Sequence, residues 1–272
     1  MKFLLSLAVA TPVVIAAPAM AQDRPVPRIV IAKSDNDRDT LSIGGGWGYV
    51  PGYHGPIGHV LVPIITTHGT FHGIAFFTRG SQVYIDLMSA ATSPRWQFSA
   101  GPVLGADLDR AGRPIDRRPA LAGTRGMAIG AGGFVGITRT GLVTGSDDSL
   151  SFRLSYVRDV GNGRGGDVVT PAIDYATALS RKMLVGVSLS ADHASAGYPR
   201  GYFDVAARRG WQQVNVTGFA DIALTGDLRR GLFVLLAVGR GRMEGDFVAS
   251  PVTQIAGNPD LIYGAVGLGY SF

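Results

Sequence analysis

Residues 261–272 read Leu-Ile-Tyr-Gly-Ala-Val-Gly-Leu-Gly-Tyr-Ser-Phe, and apolar side chains recur on every second position. Ile262, Val266, Leu268, Tyr270 and Phe272 share one face. The other face ends in Gly267, Gly269 and Ser271, small enough for a crowded interior. A period of two is the strand period, and about ten residues of it suit a strand with lipid on one side and a polar lumen on the other. An aromatic residue closing such a strand is also the mark by which bacterial barrels are passed to their assembly machinery. Removing Tyr270, Ser271 and Phe272 is therefore expected to abolish assembly while leaving export intact.

The same alternation recurs along the chain. Leu41, Ile43, Trp47 and Tyr49 oppose Ser42, Gly44, Gly46 and Gly48. Phe152, Leu154 and Tyr156 oppose Ser151, Arg153 and Ser155, and Val214, Val216 and Ile222 oppose Asn215, Thr217 and Asp221. Arg153 and Asp221 read as lumen charges, because a charge facing lipid at mid-depth costs about 2–4 kcal/mol. Candidate strands are 39–50, 57–67, 69–78, 81–89, 95–106, 125–138, 149–159, 167–180, 182–192, 211–224, 230–242 and 261–272. With both termini periplasmic, the inner connections include Thr67-His68-Gly69, Ser180-Arg181 and Thr225 to Arg229, all short. The outer ones include 107–124, 193–210 and 243–260, long and rich in Pro, Gly and charge. Two connections break the pattern: 139–148 is long for the periplasmic side and Arg79-Gly80 is short for the outside. The expectation is an all-β, transmembrane, antiparallel up-and-down barrel of about 12 strands over residues 39–272, with short periplasmic turns and longer extracellular loops.

The other end of the chain gives the same address. Lys2 is followed by an apolar run from Phe3 to Ala17, and Ala19-Met20-Ala21 fits a small-x-small cleavage site. Residues 1–21 are expected to be a cleaved signal peptide, and residues 22–38, rich in Pro and charge, a flexible periplasmic arm. The expected location is the outer membrane of a Gram-negative bacterium. Beyond residue 21 no apolar stretch reaches the ~18 residues of a spanning helix. Glycine, at 39 of 272 residues, is too abundant for helices, and only 17% of residues are charged. Mean hydropathy is just +0.20, as alternating lipid-facing and lumen-facing residues average out. Cysteine is absent, which excludes disulfides and thiolate chemistry. The net charge of +5 is too small and scattered to argue for a nucleic-acid partner.

Trp47 and Trp211 fall near the outer strand ends, and Trp96, Tyr270 and Phe272 near the inner ends, as the two interfacial aromatic girdles require. Pro63, Pro102 and Pro171 lie inside proposed strands, where each removes a ladder hydrogen bond. They are expected to mark bulges or strand ends.

Motifs that could carry chemistry resolve as structure. Gly161-Asn162-Gly163-Arg164-Gly165-Gly166 matches G-x-G-x-x-G but runs into another strand, where a dinucleotide site needs a helix. His68 and His72 are four apart, a ligand spacing on a helix but ~13 Å along a strand. His193 near Ser190 and Ser195 is the one Ser–His candidate, and it lacks an evident orienting partner. His59 and His72 fall within proposed strands with no local carboxylate, although Asp86 could supply one from across the sheet. No catalytic, cofactor-binding or metal site is expected. Arg110, Arg113, Arg117, Arg118, Arg208 and Arg209 make the long loops basic, suited to lipopolysaccharide phosphates or simply to solvent.

Several elements resemble the MltA-interacting protein/OmpV (MipA/OmpV) family of outer-membrane proteins. The glycine-rich first strand followed by Pro-x-Tyr-x-Gly is Leu41 to Gly55, with Pro51, Tyr53 and Gly55. Pro63, Gly101-Pro102, Tyr202-Phe203-Asp204-Val205, Ser250-Pro251 and the aromatic last strand follow in order, with Asp204 where the family has glycine. The resemblance covers about Asp39 to Phe272. It implies a non-enzymatic barrel that acts as a scaffold joining a murein hydrolase to a murein synthase. Its other partners are outer-membrane lipid and lipopolysaccharide. A narrow, porin-like pore for small solutes is the alternative, and an outer-membrane hydrolase the third reading.

Overall fold

A computed structural model describes residues 39–51, 59–88, 95–107, 128–143, 148–161, 166–197, 209–248 and 259–272. Among them run twelve strands: β1 Thr40–Pro51, β2 His59–Phe71, β3 Ile74–Arg79, β4 Gln82–Asp86, β5 Trp96–Asp107 and β6 Ala128–Thr140. The rest are β7 Asp148–Asp159, β8 Asp167–Ser180, β9 Met183–Ala194, β10 Gly210–Ala223, β11 Gly231–Met243 and β12 Asp260–Ser271. Each pairs antiparallel with its sequence neighbours, and β1 closes on β12 from Ser42↔Ser271 to Tyr49↔Gly264. The sheet is a closed barrel. Closure leaves no edge for lipid to meet, which is why strands can span a bilayer at all.

The alternating pattern sorts the side chains as period two demands. On β7, Phe152, Leu154 and Tyr156 are exposed on the outer surface while Arg153 and Ser155 are buried. On β12 the outward Ile262, Val266, Leu268 and Tyr270 are exposed, and inward Leu261, Tyr263 and Ser271 are buried. Trp47 and Trp211 stand exposed toward one rim; Trp96, Tyr270 and Phe272 stand exposed toward the other. Both aromatic girdles are therefore in place. Arg139 lies over the Trp96 ring at 5.3 Å, its cation held at the interface beside an aromatic anchor.

The rim at which β1 begins and β12 ends also carries the turns His72-Gly73, Arg181-Lys182 and residues 224–230. It is the periplasmic rim. The first of these turns corrects the sequence expectation. β2 runs through Thr67, His68 and Gly69 to Phe71, and the chain reverses at His72 and Gly73, with φ of 48° and 80°. Positive φ at both central residues is the two-residue hairpin turn that matches strand twist. Gly69 is glycine for another reason: a Cβ there would sit 2.2 Å from the Thr40 carbonyl oxygen of the paired strand.

The two exceptional connections are also explained. β6 does end and β7 begin at the periplasmic rim, where both Asp148 carboxylate oxygens accept backbone N–H bonds from Leu142 and Val143 at 2.9 and 2.7 Å. The Gly80-Ser81 turn is short because its hairpin is short, with strands of 6 and 5 residues against 12 to 14 elsewhere. Prolines mark gaps in the ladder rather than bulges. β2 pairs β3 only over His68–Phe71, so Pro63 lies past that ladder and pairs with Trp47 of β1 alone. The β4–β5 ladder ends at Val103, next to Pro102. The β8–β9 ladder skips from Val169↔His193 to Ala172↔Ser190, omitting Pro171 without changing register. The register shifts lie elsewhere, between Trp211 and Gln213 and between Ala178 and Ser180.

Candidate functional site

The lumen gathers the buried polar groups. Its wall is shaped first by glycine–aromatic pairs that face each other directly across the ladder. A Cβ on Gly186, Gly239 or Gly269 would stand 2.2–2.3 Å from the ring of Phe219, Tyr263 or Phe233 respectively, each the cross-strand partner. The ring covers the space that the missing side chain leaves. This accounts for part of the glycine content: an inward aromatic needs a bare neighbour.

At mid-height a charged cluster spans the barrel. Arg79, at the tip of the β3–β4 hairpin, donates Nη1 to Asp174 Oδ2 at 2.8 Å and Nη2 to Asp174 Oδ1 at 2.9 Å. β3 and β8 are five strand steps apart one way round the sheet and seven the other, so the bond joins opposite walls. Arg79 Nη2 also donates to Ser188 Oγ at 3.0 Å, and Ser188 Oγ donates to Asp174 Oδ1 at 2.5 Å. Arg153 adds a second cation, 3.8 Å from Asp174. Arg79 is 2% exposed and Asp174 7%, so the pair is desolvated, and its bidentate geometry offsets that cost. Arg153 stacks over Tyr84 at 5.1 Å, Tyr84 stacks on Phe77 at 4.9 Å, and both rings meet Phe134 edge-on. A cavity of about 20 Å³ remains beside this cluster, between Phe77, Ser99, Thr138, Ser151 and Arg153. It has room for about one water molecule.

At the periplasmic end the 224–230 turn sends Leu228 into the barrel. Leu228 packs on Ala176, Leu184 and Phe219 inside the barrel. Its N–H donates to the Arg181 carbonyl at 3.1 Å, and its carbonyl accepts Ser271 Oγ at 3.1 Å. Toward the outer end, the short 3-10 turn Gly245–Phe247 sends Phe247 inward against Ala194, Met243 and Leu261. Below it β8–β10 present a polar stripe: Thr170 Oγ1 donates to Asp192 Oδ1 at 2.7 Å, and Gln213 Nε2 donates to Asn215 Oδ1 at 2.9 Å.

The sequence-derived candidates are not brought together. Ser190 faces the lumen and is 3% exposed, whereas His193 lies on the opposite face of β9, edge-on to Trp211 at 5.3 Å. Odd spacing on a strand guarantees that separation. Ser195 Oγ accepts the Asp167 N–H at 2.9 Å. His72 is not in a strand but in the exposed hairpin turn, with its N–H donating to Asp39 Oδ1 at 2.8 Å; His68 is in β2 rather than in a turn. Asp86 serves the backbone, accepting from Met88 and Ala100 N–H at 3.0 and 3.1 Å. His59 opens β2, and its side chain lies outside the described residues, as do His54, Asn162 to Gly165, Arg110, Arg113, Arg117, Arg118 and Arg208. The 202–205 and 250–251 motifs also lie outside them. Among the described residues no cluster of three or more His, Cys, Asp or Glu could hold a metal ion. Arg153 and Asp221 face the lumen as expected, 6% and 1% exposed. Arg79 and Asp174 were not foreseen as partners. The available signal was an aspartate on the inward row of β8, between Ala172 and Ala176.

A closed antiparallel barrel with an apolar outer belt, two aromatic girdles and a polar, side-chain-filled interior is an outer-membrane β-barrel. The family described as MltA-interacting protein MipA matches residues 43–272, and the chain belongs to that family. A search of curated proteins found no match. Among solved structures, the NanC porin is similar over 85% of this chain and 98% of its own, with 11% identity and a TM-score of 0.50. OmpT of Vibrio cholerae is similar over 88% and 99%, with 7% identity and a TM-score of 0.41.

Proposed function

We propose that this barrel is a non-enzymatic scaffold of the outer membrane, working through its faces rather than through its lumen. Its role is to hold a murein-remodelling enzyme, a hydrolase or a synthase, at the inner surface of the membrane. The observation that carries this reading is that side chains enter the lumen at two levels. Leu228 packs inside the periplasmic end and the Arg79–Asp174 bond crosses the middle. The family description, an MltA-interacting protein, supports the choice of partner. Capture on tagged barrel from detergent-solubilised envelope is the test, and a murein hydrolase or synthase is expected in the eluate. An eluate holding neither would sink the scaffold.

One observation favours a narrow pore instead. Thr170, Asp192, Ser190, Asn215 and Thr217 line one side of the lumen with polar groups. Regular conductance steps in a planar bilayer, with no murein enzyme captured, would decide for that second reading. Release of fatty acid from lipid by the purified barrel would contradict both.

A further inference from the structure

β10 carries an irregularity just inside the outer rim. Trp211 pairs with His193 and Gln213 with Asp192, so Gln212 is an extra residue in the strand, a β-bulge. In a regular strand Trp211 and Val214, an odd number of positions apart, would point to opposite faces. Here Gln212 and Gln213 both turn inward, 3% and 1% exposed, while Trp211 and Val214 both stand on the outer surface, 49% and 36% exposed. Bulges re-aim side chains, and this one parts two apolar residues on the lipid-facing side.

Between them lies a cleft of about 410 Å³, lined by Ala191, Trp211, Val214, Glu244 and Gly245. The turn that supplies the last two is fixed from both sides of the wall. Glu244 N–H donates to the Gln212 carbonyl at 2.8 Å, and Phe247 of the same turn is buried inside against Ala194, Met243 and Leu261. A largely apolar lining with a few charged groups at its edge is the usual make-up of a site for a small amphiphile.

Cations stand beside the cleft. Arg242 lies directly across the ladder from Val214, and its Nε is 3.9 Å from Glu244 Oε1, a long pair on an exposed surface. Arg240 is held by Asp260 at 2.8 Å and is not counted. Arg209, just ahead of Trp211, is exposed and makes no ion pair among the described residues. From membrane to water the order along the cleft is therefore Val214 beside Ala191, then Trp211, then Arg209. Apolar groups below and guanidinium above match an amphiphile whose chain enters the bilayer and whose anionic head stays at its surface. In the outer leaflet of an outer membrane that amphiphile is lipopolysaccharide.

We infer that this cleft docks one lipopolysaccharide molecule, with an acyl chain over Ala191 and Val214 and a phosphate on Arg209 and Arg242. Guanidinium takes phosphate bidentately, and Trp211 sets its amphipathic ring at head-group level, where the sugar lies. The site is on the outer surface, so it stands whichever reading of the lumen and of the scaffold holds.

Native mass spectrometry of the purified barrel in micelles is the test, with lipid A, dephosphorylated lipid A and phosphatidylglycerol as the added lipids. Wild-type protein should take up one lipid A roughly tenfold more tightly than either of the others. Val214→Trp, which fills the cleft, should weaken that uptake by roughly tenfold or more, whereas Val216→Trp, farther along the same outer face, should leave it unchanged. Arg209→Gln with Arg242→Gln should erase the preference for the phosphorylated form. Heat-modifiable mobility reports whether each variant has folded, and the wild-type comparison of the three lipids stands without any variant. Uptake of lipid A no tighter than that of either other lipid would overturn the inference and assign the cleft to bulk lipid. Unchanged uptake by folded Val214→Trp would overturn it as well.

Discussion

The two sides of the lumen are built differently. From β3 to β6 the inner wall holds an aromatic and aliphatic cluster, Phe77, Tyr84, Val103 and Phe134, set among the buried polar groups Arg79, Gln82, Asp86, Ser99 and Thr138. From β8 to β10 it is polar: Thr170, Asp174, Ser188, Ser190, Asp192, Asn215 and Thr217 are all buried. The apolar side carries the short β3–β4 hairpin, whose ladders with β2 and β5 hold only four and three register pairs. The polar side has ladders along nearly full strands. What the hairpin lacks in wall hydrogen bonds it recovers across the lumen, through packing at Tyr84 and through Arg79. The shortest stretch of wall is tied across the lumen to a full-length strand.

That contrast can be broken from either side. The largest effect should come from deleting Tyr270 to Phe272, because Ser271 and Tyr270 pair with both β1 and β11 and Phe272 N–H donates to the Leu41 carbonyl at 2.9 Å. The truncated chain should show no heat-modifiable band on gels; normal mobility would refute the role of these contacts in closure. Next comes Asp174→Ala, which leaves Arg79 and Arg153 buried against each other and should cost about 3–5 kcal/mol in urea unfolding from micelles. The double change Arg79→Met with Asp174→Leu should cost clearly less than the single one, and equal losses would mean that the ion pair is not the link between the walls.

A smaller effect is expected on the apolar side. Tyr84→Phe keeps the stack on Phe77 but removes the 2.8 Å bond from the phenol to Gln82 Oε1, and should cost about 1 kcal/mol. A loss as large as that of Asp174→Ala would show that this side holds by polar bonds too. His193→Ala should be the mildest, within about 1 kcal/mol, since it removes only an edge contact with Trp211 on the outer surface. A large loss of stability, or of any hydrolytic activity, would return His193 to consideration as a functional residue.

The faces of the barrel were legible in the sequence because each strand meets two different solvents, and period two records that directly. Leu41 to Gly48 and Phe152 to Ser155 are sorted as their alternation says. The prolines were legible as disturbances, but whether each would be a bulge or a gap depends on where the neighbouring strand stops, which one strand cannot report. The first turn was misplaced because Gly69 and Gly73 look alike in sequence. One is bare for a passing carbonyl and the other for its positive φ. The central bond was hidden because Arg79 and Asp174 are 95 residues apart and meet only through closure of the whole sheet. Leu228 did leave a trace, a lone apolar residue in the otherwise polar turn Thr225 to Arg230.

The central claim is that side chains close the lumen and that the Arg79–Asp174 bond holds the closure. Single-channel recording in planar bilayers tests it most directly. Wild-type barrel should give no regular conductance steps, while Arg79→Ala combined with Leu228→Gly should open small, frequent ones. Steady conductance from the wild type, unchanged by those substitutions, would contradict the account.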